Sequence, residues 1–268
     1  MDARFQRRIQ RYGWDKGYWS RQLEPAQSKL LEMAALVPGE RVLDVACGAG
    51  LVTFRAAELV CPSGAAVGTD ISEKMVETAR AEAARRGLNH VSFDRADEEN
   101  LQLPENAFDA ALCALGLMYV PEPATALGQM LGVLRPGGRA VAAVWGARRN
   151  CGWAEIFPIV DSRVKSEVCP LFFQLGTGDN LPNLFDAAGY HNVQCERIRT
   201  TLQYGSAEEA CGAAFAGGPV ALAYSRFDDR TREEAHAEYL ASIEPFRLGD
   251  RYEIPGEFVI ASGRKPQS

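Results

Sequence analysis

The chain has 268 residues, a formal net charge of −6 at pH 7 and a hydrophobic content of 47%, which is enough to bury a large core. The acidic balance excludes the basic face that nucleic-acid binding requires. No apolar run approaches the length of a membrane-spanning helix, and residues 1–20 lack the apolar centre of a secretory signal. Seven cysteines without a CxxC pair are typical of free thiols in a reducing compartment, so we expect a cytoplasmic protein.

Short apolar runs alternate with helical patterns through the first half of the chain. Strands are predicted at 41–46, 65–70, 91–95, 108–114 and 139–145. Helices are predicted at 51–60, 72–87 and 124–134. Ser72 and Gly87 are typical of an N-cap and a C-terminal stop. This alternation predicts an α/β fold with a doubly wound, mainly parallel sheet, and the fully apolar strands agree because such a sheet is covered on both faces.

The rhythm loosens after Trp145. Residues 147–180 are predicted to form helix and loop, and strands are predicted at 192–199 and 257–263. Two helical stretches are predicted within 204–250. Together with the first half, these elements predict a seven-stranded sheet.

A glycine-rich loop follows the first predicted strand. The segment VLDVACGAG, residues 42–50, places Gly48 and Gly50 where they allow a tight turn and close approach of a ligand to the backbone. Asp70 ends the next strand, where a carboxylate can accept hydrogen bonds from ribose hydroxyls. NAD and S-adenosylmethionine both fit this outline.

Two residues favour S-adenosylmethionine over NAD. Thr53 stands where the dinucleotide fingerprint requires a third glycine or alanine. Asp44 lies four residues before Gly48, where an anion would repel a pyrophosphate but suits the ammonium group of S-adenosylmethionine. Asp44 can also cap the loop through backbone N–H groups, a role compatible with cofactor binding. An NAD-linked oxidoreductase remains the alternative.

Five segments in order resemble the class I S-adenosylmethionine-dependent methyltransferases, nearest the small-molecule group of ubiquinone and menaquinone biosynthesis. They are VLDVACGAG (42–50), GTDIS (68–72), ADEENLQLPENAFD (96–109), ALCALGLMYVPEP (111–123) and VLRPGG (133–138). The resemblance covers about residues 25–146 and the last strand, and it implies that this last strand is antiparallel. It also implies that Asp70 binds the ribose and that Asp97 binds the adenine amino group. The full set of cofactor residues expected from it is Asp44, Ala46, Gly48, Gly50, Asp70, Ile71, Met75, Asp97, Glu98 and Leu115.

On this reading the chain divides into four parts. Residues 1–24 are predicted to be a lid, and residues 25–146 the Rossmann-like core that binds the cofactor. Residues 147–256 are predicted to hold the rest of the core with an inserted helical cap over the substrate, and residues 257–268 the last strand and tail.

Aromatic residues near the predicted cofactor edge are candidates for stacking a planar acceptor and attracting the sulfonium. The candidates are Tyr18, Trp19, Tyr119, Trp145 and Trp153. Ordinary core and lid packing explains the same residues equally well. The N-terminal aromatics are better supported, because an aromatic segment outside the sheet needs a pocket to cover.

The sequence does not identify a catalytic base. His90 and His191 precede strands, at the edge opposite the ligand edge, and His236 lies in an Arg/Glu-rich helix where we expect it to be solvated. Methyl transfer can proceed by positioning alone if the acceptor ionises easily, as a thiol, a phenol or an activated carbon does.

The interpretation that follows is a methyltransferase acting on O, C, N or S of a small, planar or apolar acceptor, without a metal site and with a homodimer as one allowed assembly. Two further alternatives stay open. Cys151, Cys169 and Cys211 could hold trivalent arsenic as a soft acceptor, although buried hydrophobic roles are the simpler explanation. A catalytically silent cofactor-binding protein would carry the same motifs.

Overall fold

The computed structural model of the protein describes residues 16–164, 172–216 and 219–267. Its strands are β1 Arg41–Val45, β2 Ala65–Asp70, β3 Val91–Arg95, β4 Phe108–Ala114, β5 Leu134–Trp145, β6 His191–Tyr204, β7 Arg247–Leu248 and β8 Arg251–Arg264. Its α-helices are α1 Lys16–Ala34, α2 Leu51–Val60, α3 Glu73–Arg86, α4 Pro123–Val133, α5 Ile156–Asp161, α6 Asn180–Ala187, α7 Ala207–Cys211, α8 Ala221–Tyr224 and α9 Asp229–Ile243. Short 3-10 turns occupy Leu117–Tyr119, Arg148–Asn150 and Glu244–Phe246.

The sheet has the strand order β3-β2-β1-β4-β5-β8-β6. β1 to β5 run parallel, and β8 lies antiparallel between β5 and β6. The predicted mainly parallel sheet with an antiparallel last strand is therefore confirmed. The predicted number of seven strands is wrong, because β7 folds back on the start of β8 as a two-residue strand and makes eight.

Three strands are longer than their apolar patterns predicted. β5 begins at Leu134 and includes the Arg-Pro-Gly-Gly turn, where its pairing with β4 shifts register. β6 and β8 continue to the pair Tyr204 and Tyr252 at their far end. The extensions of β6 and β8 are held by the pairing of these two strands with each other. Because β6 is mostly exposed, it has no hydrophobic pattern from which its length could be predicted.

Helix α1 crosses the predicted boundary between residues 24 and 25. It runs without interruption from Lys16 to Ala34, although Pro25 lacks the N–H of a regular helix position. It packs against β4, β5, β6 and β8. Gln22 exchanges two hydrogen bonds with the backbone of Gln203, at 2.7 and 3.1 Å, which places this part of α1 beside the carboxyl end of β6.

The ends of α3 agree with the sequence pattern. The Ser72 side chain accepts from the backbone N–H of Met75, and Gly87 ends the helix in the left-handed conformation with φ of 68°. Among the helices that the structure describes, none has the length and apolar character needed to cross a membrane.

Candidate active site

The carboxyl ends of β1 and β4 meet at one edge of the sheet, each in a strained turn. Ala46 follows β1 with φ of 55°, and Leu115 follows β4 with φ of 65°. A side chain in this conformation costs roughly 1–2 kcal/mol, and such strain collects at ligand sites. The two turns touch, because a Cβ added to Gly116 would lie 2.5 Å from the Ala46 Cβ. The predicted cofactor residues Ala46 and Leu115 therefore lie close together at one edge of the sheet.

Gly48 and Gly50 are needed for different reasons. Both have positive φ, 55° and 85°. A Cβ added to Gly50 would lie 2.8 Å from the Phe93 ring and 2.9 Å from the Phe54 ring, so packing inside the protein excludes a side chain there. A Cβ added to Gly48 would meet nothing within 4 Å. The open face of the loop is therefore at Gly48, where a ligand can approach the backbone.

Asp70 ties the glycine loop to the start of α3. One carboxylate oxygen accepts from the Gly48 N–H at 2.8 Å, and the other accepts from the Ser72 N–H at 2.8 Å. Burial raises the pKa of Asp70, and these two hydrogen bonds oppose the increase. Each oxygen keeps a lone pair that can accept from a ribose hydroxyl. Asp70 thus has a structural role that the sequence did not predict, beside the predicted one.

Asp44 is a buried carboxyl with one bonded and one free oxygen. Its side chain is 1% exposed, and one oxygen accepts from the Thr53 hydroxyl at 2.6 Å. No group of the described residues donates to the other oxygen. Burial raises the pKa of Asp44 to about 7, with a further increase from the charge of Asp70. An unpaired buried oxygen is costly, so a donor such as the cofactor ammonium fits here.

Thr53 also explains a departure from the dinucleotide fingerprint. Its side chain is fully buried and its hydroxyl is the donor to Asp44. Glycine or alanine at this position would remove that donor. The sequence flagged Thr53 only as a mismatch, and its partner became apparent only in the structure.

Two acidic residues follow β3 at the same edge. An Asp97 oxygen accepts from the Glu99 N–H at 2.9 Å, and the Ala96 N–H donates to the Asp70 carbonyl at 3.1 Å, which joins this turn to β2. Glu98 is 7% exposed, and burial raises its pKa to about 8, with added repulsion from nearby carboxylates. Ile71 and Met75, the remaining predicted cofactor residues, are buried just after β2.

Replacing Asp70 with alanine should weaken binding of S-adenosylhomocysteine by about 1–3 kcal/mol, since charge-assisted hydrogen bonds to the ribose are lost. Calorimetric titration measures the change. Asp109→Ala is the matched control, because this carboxylate bonds Arg41 N and Arg135 at the opposite edge of the sheet. Equal affinity in Asp70→Ala and wild type would exclude the ribose assignment.

Replacing Glu98 with glutamine should make the free energy of unfolding less dependent on pH. The pKa of Glu98 is raised in the folded protein, so its protonated form is the native one. Below pH 4.5 the Glu98 carboxyl is protonated in both the folded and the unfolded protein and does not reduce the free energy of unfolding. As the pH rises towards about 8, the unfolded protein ionises more readily than the folded one, and the free energy of unfolding falls. Each pKa unit corresponds to about 1.4 kcal/mol. We expect the Tm of Glu98→Gln to exceed that of wild type at pH 8 and to match it at pH 5.

The control for this series is Glu105→Gln, at an exposed position, which should follow the wild-type pH dependence. A constant difference in Tm between Glu98→Gln and wild type from pH 5 to pH 8 would contradict the prediction.

The predicted acceptor aromatics at and after the ends of β4 and β5 belong to one cluster of rings. Trp145 is 1% exposed and stacks on Phe258 with ring centroids 4.1 Å apart. Trp153 is 2% exposed and lies edge-on to Trp145 at 4.9 Å. Tyr119 lies edge-on to Phe172 at 5.4 Å. The side chains of Tyr18 and Trp19 lie outside the described part of the chain, and contact of any of these residues with the acceptor stays a prediction.

The expectation that His236 is solvated is wrong. His236 is half-buried, its Nε2 lies 2.8 Å from the Tyr224 hydroxyl, and the two rings stack with an interplanar angle of 16°. Burial lowers the pKa of His236, and the nearby Arg232 lowers it further. His191 begins β6 opposite Arg264 at the far edge of the sheet, as expected. The hydrophobic pattern of α9 gives no signal for the ring contacts of His236.

The cysteines do not resemble a soft-metal site. Burial raises the pKa of Cys151 to about 12 and that of Cys211 to about 11, which disfavours the thiolates that arsenic binds. Cys169 lies outside the described residues. Within those residues, no three His, Cys, Asp or Glu side chains are grouped as metal ligands.

The predicted cap lies at the same edge as the glycine loop. β6 ends at Tyr204 and β8 begins at Arg251 beside it, so the intervening helices leave and return at the carboxyl edge of the sheet. The segment after Trp145 also starts from this edge. The segment after Trp145 and the helices between β6 and β8 are therefore both connected to the edge that holds Gly48 and Asp70.

Comparison with known proteins finds relatives over much of the chain. A protein-family profile described as a methyltransferase domain matches residues 36–188. The chain is similar to the aklanonic acid methyltransferase DauC of Streptomyces sp. (strain C5), with 37% identity over 115 residues that form 43% of this chain and 52% of that protein. It is similar to the ubiquinone/menaquinone biosynthesis C-methyltransferase UbiE of Ectopseudomonas mendocina (strain ymp), with 37% identity over 128 residues that form 47% and 50% of the two chains.

The chain thus spans about half the length of these curated relatives. Among solved structures, the [4+2]-cyclase SpnF aligns with a TM-score of 0.60 and 23% identity, covering 96% of this chain and 87% of that one. At that identity the likeness shows the fold alone. The family match includes β1 to β5 and the loops that carry Gly48, Asp70, Asp97 and Leu115.

Proposed function

The chain belongs to the methyltransferase-domain family, and from this premise we propose that it transfers a methyl group from S-adenosylmethionine to a small, apolar acceptor. One observation supports this most directly. Asp44 keeps a buried oxygen without a donor from the described residues, close to a loop whose Gly48 backbone is open. Such an oxygen can accept a hydrogen bond from a cationic group at the glycine loop, whereas it would repel a pyrophosphate.

S-adenosylmethionine supplies an electrophilic methyl on a sulfonium. In this proposal the Asp44 carboxylate holds the ammonium group, Asp70 the ribose hydroxyls and Asp97 the adenine amino group. The strained turns at Ala46 and Leu115 shape the backbone beneath the methionine part. With these contacts the cofactor would present its methyl so that an acceptor atom roughly 3–3.5 Å away could attack in line.

None of the three histidines is a candidate for the base that removes the acceptor's proton. His90 and His191 lie away from the carboxyl edge, and His236 is bonded to Tyr224. We therefore propose an acceptor that ionises easily, a phenol or an activated carbon, with positioning and water exclusion supplying most of the rate. The buried aromatic cluster around Trp153 supports water exclusion.

Calorimetry with both cofactor classes tests the first half of the proposal. We expect S-adenosylmethionine and S-adenosylhomocysteine to bind and NAD not to bind. Binding of NAD alone would overturn the proposal in favour of an oxidoreductase.

A methyl-transfer assay tests the second half. Radiolabelled S-adenosylmethionine is incubated with a library of phenols, hydroquinones and 1,3-dicarbonyl compounds, and label is extracted into organic solvent. Transfer to at least one acceptor is expected. Cofactor binding with no transfer to any member would favour a silent cofactor-binding protein.

We also propose that the protein is cytoplasmic and that it forms a homodimer. The described cysteines form no disulfide, as a reducing compartment requires. Size-exclusion chromatography with light scattering measures the assembly directly, and a monomer at micromolar concentration would exclude the dimer.

A further inference from the structure

A groove lies close to the end of β4, and its described lining includes none of the predicted cofactor residues. It has a volume of about 380 Å³ and lies between the segment that follows β4 and helix α6. Leu117, Met118 and Val120 line it from the first side, and Leu184 and Ala187 line it from α6. The first three are buried, so the floor of the groove is apolar and packed against the core. Its volume falls within the range of small-molecule sites.

The groove adjoins the predicted cofactor contact at the end of β4. Leu117 follows Leu115 by two residues, so their Cα atoms are at most about 7.6 Å apart. Leu115 is the residue held with φ of 65° at the cofactor edge. In the proposed function Leu115 contacts the cofactor, so a molecule in the groove would lie close to the cofactor site, where an acceptor has to be.

Among the described residues that line the groove, none has an ionisable side chain. Its polar groups are the side-chain amides of Gln174, Asn180 and Asn183. The Asn180 amide is fixed by donating to the Gln174 carbonyl at 2.8 Å. On the apolar floor of the groove a charged ligand would lose hydration without gaining an opposite charge from a described residue, whereas the amides can bond carbonyl or hydroxyl groups of a neutral ligand.

One wall of the groove is held in place by an ion pair between an exposed arginine and a buried glutamate. The Arg197 guanidinium lies 3.3 Å from a Glu257 oxygen, and Glu257 is 6% exposed. Arg197 also donates to the Gly176 carbonyl at 2.8 Å and to the Gly178 carbonyl. These bonds fix the segment that carries Gln174 and Leu175 of the groove lining. A preformed wall reduces the ordering cost of binding.

We propose that this groove binds the methyl acceptor and selects a neutral, apolar molecule that bears carbonyl or hydroxyl groups. The inference rests on the proposed function. It adds a location for the acceptor and excludes acceptors that carry a charge elsewhere than at the atom that is methylated.

The test compares a neutral and an anionic probe of the same size. 2-Naphthol and 2-naphthoate are titrated into protein saturated with S-adenosylhomocysteine, with binding followed by calorimetry. We expect 2-naphthol to bind at least about tenfold more tightly than 2-naphthoate. Absence of 2-naphthol binding, or equal affinity for the two probes, would overturn the proposal.

Two variants locate the bound probe. Ala187→Trp, at an exposed position of α6, should fill the groove and weaken 2-naphthol binding about tenfold or more. Ala81→Trp, exposed on α3, is its control and should bind like wild type. Asn183→Lys should increase affinity for 2-naphthoate by adding the missing charge, and Gln194→Lys on the exposed face of β6 should not.

Titration of each variant with S-adenosylhomocysteine separates this inference from the proposed function. If the cofactor binds and Ala187→Trp still binds 2-naphthol like wild type, only the groove assignment is overturned. If wild type does not bind S-adenosylhomocysteine, the proposed function fails as well.

Discussion

Replacing Gly48 with valine should lower affinity for S-adenosylhomocysteine by more than about 100-fold, close to 3 kcal/mol, while the sheet remains folded. The backbone at Gly48 has φ of 55°, and the space beside it is open. A valine would place two methyl groups in that space, which the cofactor requires. It would also disfavour the left-handed conformation that presents the loop, at a cost of roughly 1–2 kcal/mol.

Gly87→Val is the matched control for this variant. Gly87 has φ of 68°, and a Cβ there would also meet nothing within 4 Å, but it ends α3 away from the glycine loop. Both variants carry the same kind of backbone strain, so both should lose stability in thermal unfolding. Only Gly48→Val should lose the cofactor. If both bind S-adenosylhomocysteine equally well, the open face at Gly48 is not the site.

Deleting residues 1–15 should leave a folded protein whose turnover falls roughly 100-fold, an effect of the size that small misplacements at an active site produce. The proposed lid contains Tyr12 and Trp14. Helix α1 follows it, and Gln22 on that helix is bonded to Gln203 next to the carboxyl edge. A segment attached there can close over the cofactor and exclude water. The deletion stops before Lys16, because α1 itself packs on the sheet.

Limited trypsin digestion distinguishes a lid from a simple core plug. Cleavage at Arg11 of the wild type should be slower with S-adenosylhomocysteine than without it. If the deleted residues only complete the core, the shortened protein should melt far below wild type and the ligand should not alter cleavage. A stable shortened protein with full activity would exclude both interpretations.

Local features of the sequence determined the first half of the fold and pointed to Asp44, Gly48, Gly50 and Asp70 as candidate cofactor residues. The apolar runs of β1, β2 and β4 match the strands that form, and Ser72 and Gly87 end α3 as their residue types require. These signals are readable because a strand period, a cap or a glycine turn depends on neighbouring residues only. The resemblance added to Asp44 and Asp70 a set of positions that lie at one edge of the sheet.

Contacts between distant segments decided the rest. The lengths of β6 and β8 follow from their pairing with each other, and β7 exists only because it folds back on β8. The donor to Asp44 is Thr53, and the partner of His236 is Tyr224, neither of which is marked by a pattern. The groove is formed by α6 and the segment after β4, more than 50 residues apart. Such pairings depend on how the chain packs in three dimensions, so local periodicity holds no record of them.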